Sequence, residues 1–583
     1  MGIKTKSVET PISHIERSNY RIRIIMYFAL LLALIIIFRA FYIQVIKHNY
    51  YISLADRQYV STMPAAFDRG TIFLSHHHGD PVPAAQLITE YRVAIDPTVI
   101  VDKEAAYNIL SSYLTLDKQE FLNKANKLND PYEEIAKNIS EDVVAIIKAK
   151  QIKGVSFVKD SKRAYPQYDT GAKVFGFVGN NGVRIGGQYG VEKYYDDILA
   201  RDSLGHTINF FAELFTDIEK TIISNKNQEE GDVILTIDAE AERALHSALV
   251  ETRKQWNSDV IGGIVMDSKT GAIVAMDSLP SYDPNKYGEV KDASLFTNQL
   301  ISGVYEMGSI IKPITIASAL DAGVITEDTT YDDTGFRMLN GFKVKNFDSK
   351  PRGPNTSIQT ILDKSLNVGI VFVVEKLGGE KLSEYFKKFG IGEDTGIDLP
   401  SEASGLTKNL DSHILVDSAT SGFGQGIALT PIQTIRALSA LGNGGVLVDP
   451  HVVDTVIYKN GEIKKVIPNI GTQVISKETS EKISRMMVHI VDTALANGAR
   501  KMDHYSIAAK TGTAQMVKPG GGYYDDRYLH SFVGYFPAYE PKYIIFLFQT
   551  YPKGAEFASA TLTEPFFKMV KFLISYYEVP PDR

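Results

Sequence analysis

The segment Tyr305-Glu-Met-Gly-Ser-Ile-Ile-Lys-Pro313 places a serine hydroxyl and a lysine amine three residues apart. Residues at this spacing share one face of a helix, with their side-chain bases about 5–6 Å apart. Gly308 fits a tight entry into such a helix, and Pro313 is tolerated in a first turn but not further in. The segment predicts a helix that begins near Ser309, with Lys312 able to accept the hydroxyl proton. Because Ser-x-x-Lys is common by chance, this assignment depends on the rest of the chain.

Two further short motifs follow in the same part of the chain. Ser365-Leu-Asn367 opens an apolar helix, Val368 to Leu377, and supplies a second hydroxyl and an amide, although alone it reads as an ordinary N-cap. Lys510-Thr-Gly-Thr513 ends a strand candidate and supplies a cation, two hydroxyls and a glycine that lets another backbone approach closely. The three motifs occur in this order within one domain, and we expect them to face one cleft.

Strand-like runs bracket the helical middle of this region. Alternating apolar residues and glycine-rich or proline-containing turns mark the strands, and longer amphipathic runs mark the helices. We expect one antiparallel sheet with a helix closing over it. The strand candidates are Gly231 to Asp238, Ile261 to Asp267, Ala272 to Asp277, Tyr505 to Thr511, Ser531 to Phe536 and Tyr543 to Thr550, and the flanking helices are Ala239 to Arg253 and Thr561 to Tyr577.

Composition limits the possible chemistry. A chain of 583 residues is too long for one core and suggests about three to four domain-sized pieces. With 44% hydrophobic residues, 22% charged residues and a net charge of −7, it shows no basic surface typical of nucleic-acid binding. The sequence has no cysteine, which excludes disulfides, thiolate catalysis and cysteine-ligated metals. Chemistry must therefore use serine, lysine, histidine or carboxylate groups.

An apolar run near the amino terminus predicts a membrane anchor. Ile24 to Phe38 is uncharged, and the apolar character resumes after Arg39, so residues 24–46 reach the length of about 20 residues needed to span a bilayer. A cleaved signal peptide is the alternative, but no small-x-small cleavage site follows. Basic residues precede the run, so we expect residues 1–23 in the cytoplasm and the remainder outside the membrane.

Residues 47–228 carry no strong catalytic signature. His76, His77 and His78 are candidate metal ligands by residue type. However, adjacent side chains point in different directions, and the three lie in a Ser-His-His-His-Gly-Asp-Pro turn. We therefore interpret them as part of a solvated loop, and we expect no metal or other cofactor.

Taken together, the motifs resemble those of class B penicillin-binding proteins, the monofunctional transpeptidases of the bacterial cell wall, and most closely the division-specific FtsI type. Asn367 favours this type over elongation relatives, which more often carry aspartate. Ser75-His-His-His-Gly79 departs from the usual Asp-Arg-Asn-Gly of the family. The resemblance spans nearly the whole chain and includes Arg69-Gly70, Arg163-Ala-Tyr-Pro166, Val174 to Gly179, Gly190-Val-Glu192, Gly396 to Glu402, Gly424 to Pro431, Gly442 to Gly445 and Ser531 to Gly534.

The resemblance implies a multidomain α+β fold: a transmembrane helix, an elongated α+β pedestal over 47–228, and a serine β-lactamase-like transpeptidase domain over 229–583 with a five-stranded antiparallel sheet flanked by helices. It also implies roles for the motif residues. Ser309 is the expected nucleophile, Lys312 the base, Ser365 a proton relay, and Asn367 a group that holds the substrate amide or Lys312. Recognition of a terminal carboxylate is expected from Lys510, Thr511, Gly512 and Thr513, and an oxyanion hole from the backbone amides of Ser309 and Thr513.

The implied activity is peptidoglycan D,D-transpeptidation through a serine acyl-enzyme formed at D-alanyl-D-alanine, in septal cell-wall synthesis, with β-lactam antibiotics as inhibitors. A D,D-carboxypeptidase or β-lactamase, and a β-lactam sensor or scaffold without turnover, are the alternatives. No segment resembles a glycosyltransferase domain, so we expect a polytopic glycosyltransferase of the FtsW type and other division proteins as partners. The expected location is the bacterial cytoplasmic membrane, with the catalytic domain outside.

Overall fold

The computed structural model describes residues 68–201, apart from 129 and 181–184, and residues 230–583, together with residues 2, 26–28, 30–32, 34 and 42. The described residues from Asp68 onward belong to one unit. We call residues 68–201 the N-terminal module and residues 230–583 the C-terminal module.

The N-terminal module combines short helices with long antiparallel strands. Its strands are β1 (Asp68–Arg69), β2 (Ile72–Ser75), β3 (Val82–Ile95), β4 (Glu133–Ile139), β5 (Val155–Ala164), β6 (Val178–Asn180), β7 (Ile185–Gly187) and β8 (Ala200–Arg201). Its helices are α1 (Lys103–Ser111), α2 (Lys118–Ala125), α3 (Glu141–Ala149), α4 (Ala172–Phe175), α5 (Gly190–Tyr194) and α6 (Asp196–Leu199).

The C-terminal module begins with a strand and a helix, as the sequence predicts. Its strands are β9 (Gly231–Asp238), β10 (Val260–Asp267), β11 (Ile273–Leu279), β12 (Thr330–Asp333), β13 (Phe336–Leu339), β14 (Phe342–Lys345), β15 (Gly353–Ser357), β16 (Val446–Val448), β17 (Val453–Tyr458), β18 (Ile463–Lys465), β19 (Ile470–Gln473), β20 (Ala508–Val517), β21 (Tyr523–Phe536) and β22 (Tyr543–Thr550).

Helices fill the middle of this module and close its ends. They are α7 (Ala239–Trp256), α8 (Gln299–Ser302), α9 (Lys312–Asp321), α10 (Ile358–Asp363), α11 (Asn367–Leu377), α12 (Gly379–Lys388), α13 (Leu415–Gly422), α14 (Pro431–Ser439), α15 (Lys477–His489), α16 (Ala558–Thr561) and α17 (Thr563–Tyr576). Shorter helical turns are Pro284–Glu289, Ala293–Phe296, Gly308–Ile311, Lys408–Asp411, Ile490–Ala494 and Leu495–Gly498.

Five strands of the C-terminal module form the expected antiparallel sheet, in the order β11-β10-β22-β21-β20. The strand β20, which carries the Lys-Thr-Gly motif, is an edge strand of this sheet, so one side of its backbone is not paired within the sheet. Every residue of the central strand β22 is buried. A central strand becomes buried in this way when layers of helices cover both faces of its sheet.

The two faces of β22 contact different hydrophobic cores. Ile545 and Leu547 pack in a core with Leu245 of α7 and with Phe566 and Val570 of α17. The intervening residues of β22 face a second core, which continues through the helical middle and into the N-terminal module. The sheet is therefore the central layer of a helix–sheet–helix sandwich.

A second sheet connects the two modules. Its strands lie in the order β18-β17-β9-β2-β3-β4, and β5 also pairs with β3. The strand β9, where the sequence predicts the start of a new domain, pairs in parallel with β2 of the N-terminal module and antiparallel with β17. Pairing between distant strands is not encoded in a local pattern, so the sequence shows the strand but not this shared sheet.

The described residues include no helix with the length and apolar character needed to cross a membrane. The predicted anchor over residues 24–46 lies mostly outside the described residues.

Candidate active site

The Ser-x-x-Lys segment forms a tight helical entry, as predicted. Gly308–Ile311 is one turn of 3₁₀ helix, and α9 follows from Lys312 with Pro313 in its first turn. Side chains three residues apart eclipse each other in a 3₁₀ turn, which places Ser309 and Lys312 on one side. The helix therefore starts where the sequence predicts, and the predicted hydroxyl and amine share a face.

Lys312 is fully buried, and its amine contacts the Ser-x-Asn motif. Its Nζ donates to the carbonyl oxygen of Ser365 at 2.6 Å and lies 3.2 Å from Ser365 Oγ. Within the described ranges, Lys312 has no ion pair with a carboxylate. Burial lowers the pKa of Lys312 well below its ordinary value, and the charge of Lys510 lowers it further. The arrangement favours a neutral amine, which is the form that accepts a proton.

Ser365 holds its hydroxyl between two amines. Lys510 Nζ lies 3.2 Å from Ser365 Oγ, the same distance as Lys312 Nζ. Ser365 has a φ of 55° in the left-handed region. This conformation is strained for a residue with a side chain, costing about 1–3 kcal/mol, and such strain clusters at functional sites. The bond from Lys312 to the Ser365 carbonyl helps to hold it.

Asn367 begins α11 and lines the same cleft. Its Nδ2 donates to the carbonyl oxygen of Lys345 at 3.1 Å, which orients the amide side chain. Since Lys312 bonds to Ser365, contact with a substrate amide is the better supported of the two expected roles of Asn367. Nearby, Asn346 Nδ2 donates to the buried Asp333 carboxylate, and Asn346 Oδ1 accepts from Val368 N at 3.1 Å, which braces the start of α11.

The Lys-Thr-Gly motif lies on β20 beside the serine turn. Lys510 is buried, and burial lowers its pKa to about 8, while the nearby Asp363 carboxylate opposes this decrease. Thr511 and Thr513 are half-buried and line the cleft, and Thr513 Oγ1 accepts from Ala558 N at 3.1 Å. A Cβ on Gly512 would lie 2.7 Å from the carbonyl oxygen of Met307, so only glycine permits this approach of the two backbones.

Glycine is also required before the nucleophile. Gly308 has a φ of 64°, and a Cβ there would lie 3.0 Å from the carbonyl oxygen of Thr513. Ser531 Oγ reinforces the contact by donating to the carbonyl oxygen of Met307 at 2.9 Å. The backbones around Ser309 and Thr513 therefore lie side by side, which is the placement that a shared oxyanion hole requires.

These elements enclose a cleft of about 340 Å³. Ser309, Ser365, Asn367, Thr511 and Thr513 all line it, so the structure brings the three motifs together. The sequence does not predict the other residues that line the cleft. No pattern in the sequence marks the aromatic ones. Gln425 could have been found, because it lies in the Gly424-Gln-Gly426 segment that carries the family resemblance. The missed residues are Phe347, Phe423, Gln425, Phe557, Ala558 and Ser559.

The three adjacent histidines lie away from this cleft. They follow β2, where His77 N donates to Asp238 Oδ2 at 2.9 Å and His78 Nε2 lies 3.0 Å from the carbonyl oxygen of Tyr576. Among the described residues, no group of histidines and carboxylates is arranged to hold a metal ion. The loop packs against the end of α17, a contact that the sequence does not predict.

The N-terminal module contains a buried ionic network built from segments that carry the family resemblance. Arg69 Nε donates to Glu192 Oε2 at 2.6 Å, and Arg163 Nε donates to Glu192 Oε1 at 2.7 Å. Tyr165 OH also donates to Glu192, at 3.1 Å. Burial alone would raise the pKa of Glu192, but the charges of Arg163 and Arg69 hold it below its ordinary value.

Comparison with known families agrees with this architecture. A model of the penicillin-binding protein transpeptidase domain matches residues 261–570, more than half of the chain. A model of the penicillin-binding protein dimerisation domain matches residues 68–209. The chain belongs to the class B penicillin-binding proteins. Its two modules correspond to the dimerisation and transpeptidase domains of this family.

Individual relatives cover most of this class B protein. Stage V sporulation protein D of Bacillus subtilis is 30% identical, over 94% of this chain and 84% of the relative. The peptidoglycan D,D-transpeptidase FtsI of Escherichia coli is 28% identical, over 74% of this chain and 70% of the relative. The crystal structure of penicillin-binding protein 2X from Streptococcus thermophilus has the same fold, with a TM-score of 0.73 and 21% identity over 88% of this chain and 81% of that one.

Proposed function

We propose that this protein is a peptidoglycan D,D-transpeptidase that cross-links stem peptides through an acyl-enzyme on Ser309. The observation that carries the proposal is the buried amine of Lys312, which has no carboxylate partner within the described ranges and lies on the same face as Ser309. Burial lowers the pKa of this amine, so it gives up its proton more readily than an ordinary lysine, which suits it to activate a hydroxyl. The names of the relatives, which include D,D-transpeptidases, support the same reaction.

In the first step, Ser309 Oγ attacks the carbonyl carbon between the two terminal D-alanines as Lys312 accepts its proton. In the free protein, Lys312 Nζ bonds to Ser365. Catalytic hydrogen bonds often form only when substrate binds, so this contact is compatible with proton transfer from Ser309 to Lys312. The backbone amides of Ser309 and Thr513 stabilise the developing oxyanion. Losing one donor of this kind typically costs about 3 kcal/mol.

Departure of the last D-alanine requires a proton on its amine. Ser365 Oγ lies 3.2 Å from the amines of Lys312 and Lys510, so it can relay the proton that Lys312 has accepted. The carbon–nitrogen bond breaks, D-alanine leaves, and the remaining peptide is bound to Ser309 as an ester. An amine from a neighbouring strand then attacks this ester, which forms the cross-link and restores the serine. Acyl transfer by these groups needs no cofactor.

Substrate binding is assigned to β20 and its motif. Lys510 supplies a positive charge for the terminal carboxylate, and the hydroxyls of Thr511 and Thr513 supply donors. Because β20 is an edge strand facing the cleft, an extended peptide can add to it as a further strand. Asn367 also lines the cleft and suits a bond to the substrate amide.

We further propose the cellular setting that the sequence predicts. Residues 24–46 anchor the chain in the cytoplasmic membrane, residues 1–23 lie in the cytoplasm, residues 47–228 form the pedestal and residues 229–583 form the external transpeptidase domain. The FtsI-type resemblance favours septal synthesis together with a polytopic glycosyltransferase of the FtsW type and other division proteins. Co-purification of that glycosyltransferase with the full-length protein tests the partnership.

Labelling with a fluorescent penicillin, which mimics D-alanyl-D-alanine, tests the catalytic assignment. We expect a stable adduct on Ser309 in the wild type and none in Ser309→Ala. Equal labelling of the two proteins would disprove the mechanism. Rapid loss of the adduct to water would instead indicate a β-lactamase or carboxypeptidase.

A further inference from the structure

His530 is a fully buried histidine that the acyl-transfer steps do not use. It lies on β21 directly opposite Thr513 of β20, so the two side chains share one face of the sheet. Its Nε2 lies 3.1 Å from the carbonyl oxygen of Glu556, and its Nδ1 lies 2.9 Å from Thr561 Oγ1. The two ring nitrogens therefore contact the segment that follows β22 on both sides of residues 557–559, which line the cleft.

The partners of His530 decide which ring nitrogen carries the hydrogen. Burial lowers the pKa of His530 to about 4, although the bond to Glu556 opposes the decrease, so the ring is neutral and has one N–H group. A carbonyl oxygen can only accept, so Nε2 carries the hydrogen and donates it to Glu556. Nδ1 is then an acceptor, and the Thr561 hydroxyl donates to it. The ring thus makes two hydrogen bonds of fixed direction to one segment.

The segment that His530 holds contacts Thr513 through a backbone amide. Ala558 N, the first amide of α16, donates to Thr513 Oγ1 at 3.1 Å. An amide at the start of a helix has no acceptor within the helix, so it is available for this bond. Because Thr513 Oγ1 accepts from Ala558, its own hydrogen points elsewhere, and no group in the described ranges accepts it. Thr513 lines the cleft, so its hydroxyl is a free donor there.

We propose that His530 is a positioning residue for carboxylate recognition. By holding the segment 556–561, it places Ala558 N so that the Thr513 hydroxyl donates to the terminal carboxylate of the substrate. This inference rests on the proposed function, which assigns that carboxylate to Lys510 and the two threonines of the motif. His530 does not touch the substrate and takes no part in proton transfer. Its effect should therefore appear in the preference for a carboxylate.

Benzylpenicillin and its methyl ester test this role on the full-length protein in detergent micelles. The two compounds differ only in the group that mimics the terminal carboxylate of the peptide, which is charged in the acid and neutral in the ester. Mass spectrometry of the adduct on Ser309 gives the acylation rate constant for each compound. We define the carboxylate preference as the rate constant for the acid divided by that for the ester. Partial unfolding lowers both rate constants equally and leaves this ratio unchanged.

A double-mutant cycle tests whether His530 acts through Thr513. Thr513→Val should lower the carboxylate preference by about tenfold, the usual contribution of a hydrogen bond to a charged group, and Lys510 should maintain the remainder. His530→Leu should lower the preference by about three- to tenfold, because the donor is still present but is no longer held in place. The double variant should lose no more than Thr513→Val alone, because both substitutions remove the same contact.

Two conservative variants distinguish the hydrogen bonds of His530 from its volume. His530→Gln keeps a side-chain N–H group for the Glu556 carbonyl, so it should retain most of the carboxylate preference. Thr561→Val removes only the donor to Nδ1, so it should lower the preference less than His530→Leu. Gln549→Leu is the control and should leave the preference unchanged. Gln549 pairs with His530 across the sheet and is buried, and its side chain has no hydrogen-bond partner within the described ranges.

The outcomes separate this role from the activity. If His530→Leu and Thr561→Val keep the wild-type carboxylate preference, or if the losses from His530→Leu and Thr513→Val multiply in the double variant, His530 has no positioning role and the transpeptidase mechanism stands. If neither compound acylates Ser309 in the wild type, the proposed function itself is wrong.

Discussion

Two groups of buried cations in this protein are stabilised in opposite ways. In the N-terminal module, Arg69 and Arg163 share the buried carboxylate of Glu192, and the pairing raises the pKa of Arg69 despite its burial. In the active-site cleft, Lys312 and Lys510 contact a serine hydroxyl, and burial lowers the pKa of both amines. Buried charges that have a counter-ion stay charged and stabilise the structure around them. Buried amines without a counter-ion have a lowered pKa, so they can gain and lose a proton during catalysis.

The two clusters also differ in what they contribute to the free energy of unfolding. Removing one partner of a buried ion pair leaves an uncompensated charge and is strongly destabilising. Removing a buried amine that lacks a counter-ion takes away an unfavourable group, at the expense of function. The two clusters should therefore respond to substitution in opposite ways, and three variants test this, from the largest expected effect to the smallest.

Replacing the proposed base should cause the largest change. Lys312→Met should lower the acylation rate constant with penicillin by about 10²- to 10⁴-fold, the usual contribution of general acid–base catalysis. The free energy of unfolding should change little, because the loss of a buried amine without a counter-ion offsets the loss of its bond to the Ser365 carbonyl. Lys364→Met is the control, since Lys364 is exposed and directly precedes Ser365, the residue that Lys312 contacts. Normal acylation by Lys312→Met would remove Lys312 from its role.

A substitution in the buried arginine–glutamate cluster should lower the free energy of unfolding and leave acylation unchanged. Arg69→Met should lower the free energy of unfolding by about 3–5 kcal/mol, because Glu192 is left buried with only one of its two arginine partners. Denaturant unfolding measures the loss, and acylation per folded molecule should be unchanged. Arg92→Met is the control, because its partly exposed pairs with Glu134 and Asp160 should contribute below about 1 kcal/mol. A similar effect of the two variants would contradict the comparison.

Removing the second amine should produce a smaller change with a defined pH signature. Lys510→Met should slow acylation by about tenfold, through loss of a charge-assisted contact to the carboxylate. The charge of Lys510 lowers the pKa of Lys312, so removing it should raise that pKa. The acidic limb of the acylation profile should then move to higher pH. A limb that stays in place would show that the two amines are not coupled.

The sequence predicts local elements because these depend on residue types at short range, whereas it predicts the meeting of the three motifs only through their characteristic order along the chain. The strand Tyr543–Thr550 has the bounds that its apolar run predicts. The order Ser-x-x-Lys, Ser-x-Asn and Lys-Thr-Gly predicts a shared cleft, and the structure places all three there.

Features that depend on distant packing could not be predicted. The strand β20 extends to Val517 beyond the expected end at Thr511, because its pairing with β21 continues past the motif. Phe347 and Phe557 meet across the mouth of the cleft with their ring centroids 5.8 Å apart, although they are distant in sequence. The hydroxyl of Ser365 likewise lies between two amines only because α9, β20 and the segment before α11 meet in the fold.

The pH profile of acylation tests the central claim, that Lys312 is an unpaired base for Ser309. The second-order rate constant for benzylpenicillin is measured on the full-length protein in detergent micelles and corrected for background hydrolysis. Below the lowered pKa of Lys312 the amine is protonated and the rate falls, and above about 8 Lys510 loses its charge and the rate falls again. We predict a bell-shaped profile with its plateau well below the ordinary lysine pKa of about 10.4. A rate that continues to rise through pH 10 would contradict the account.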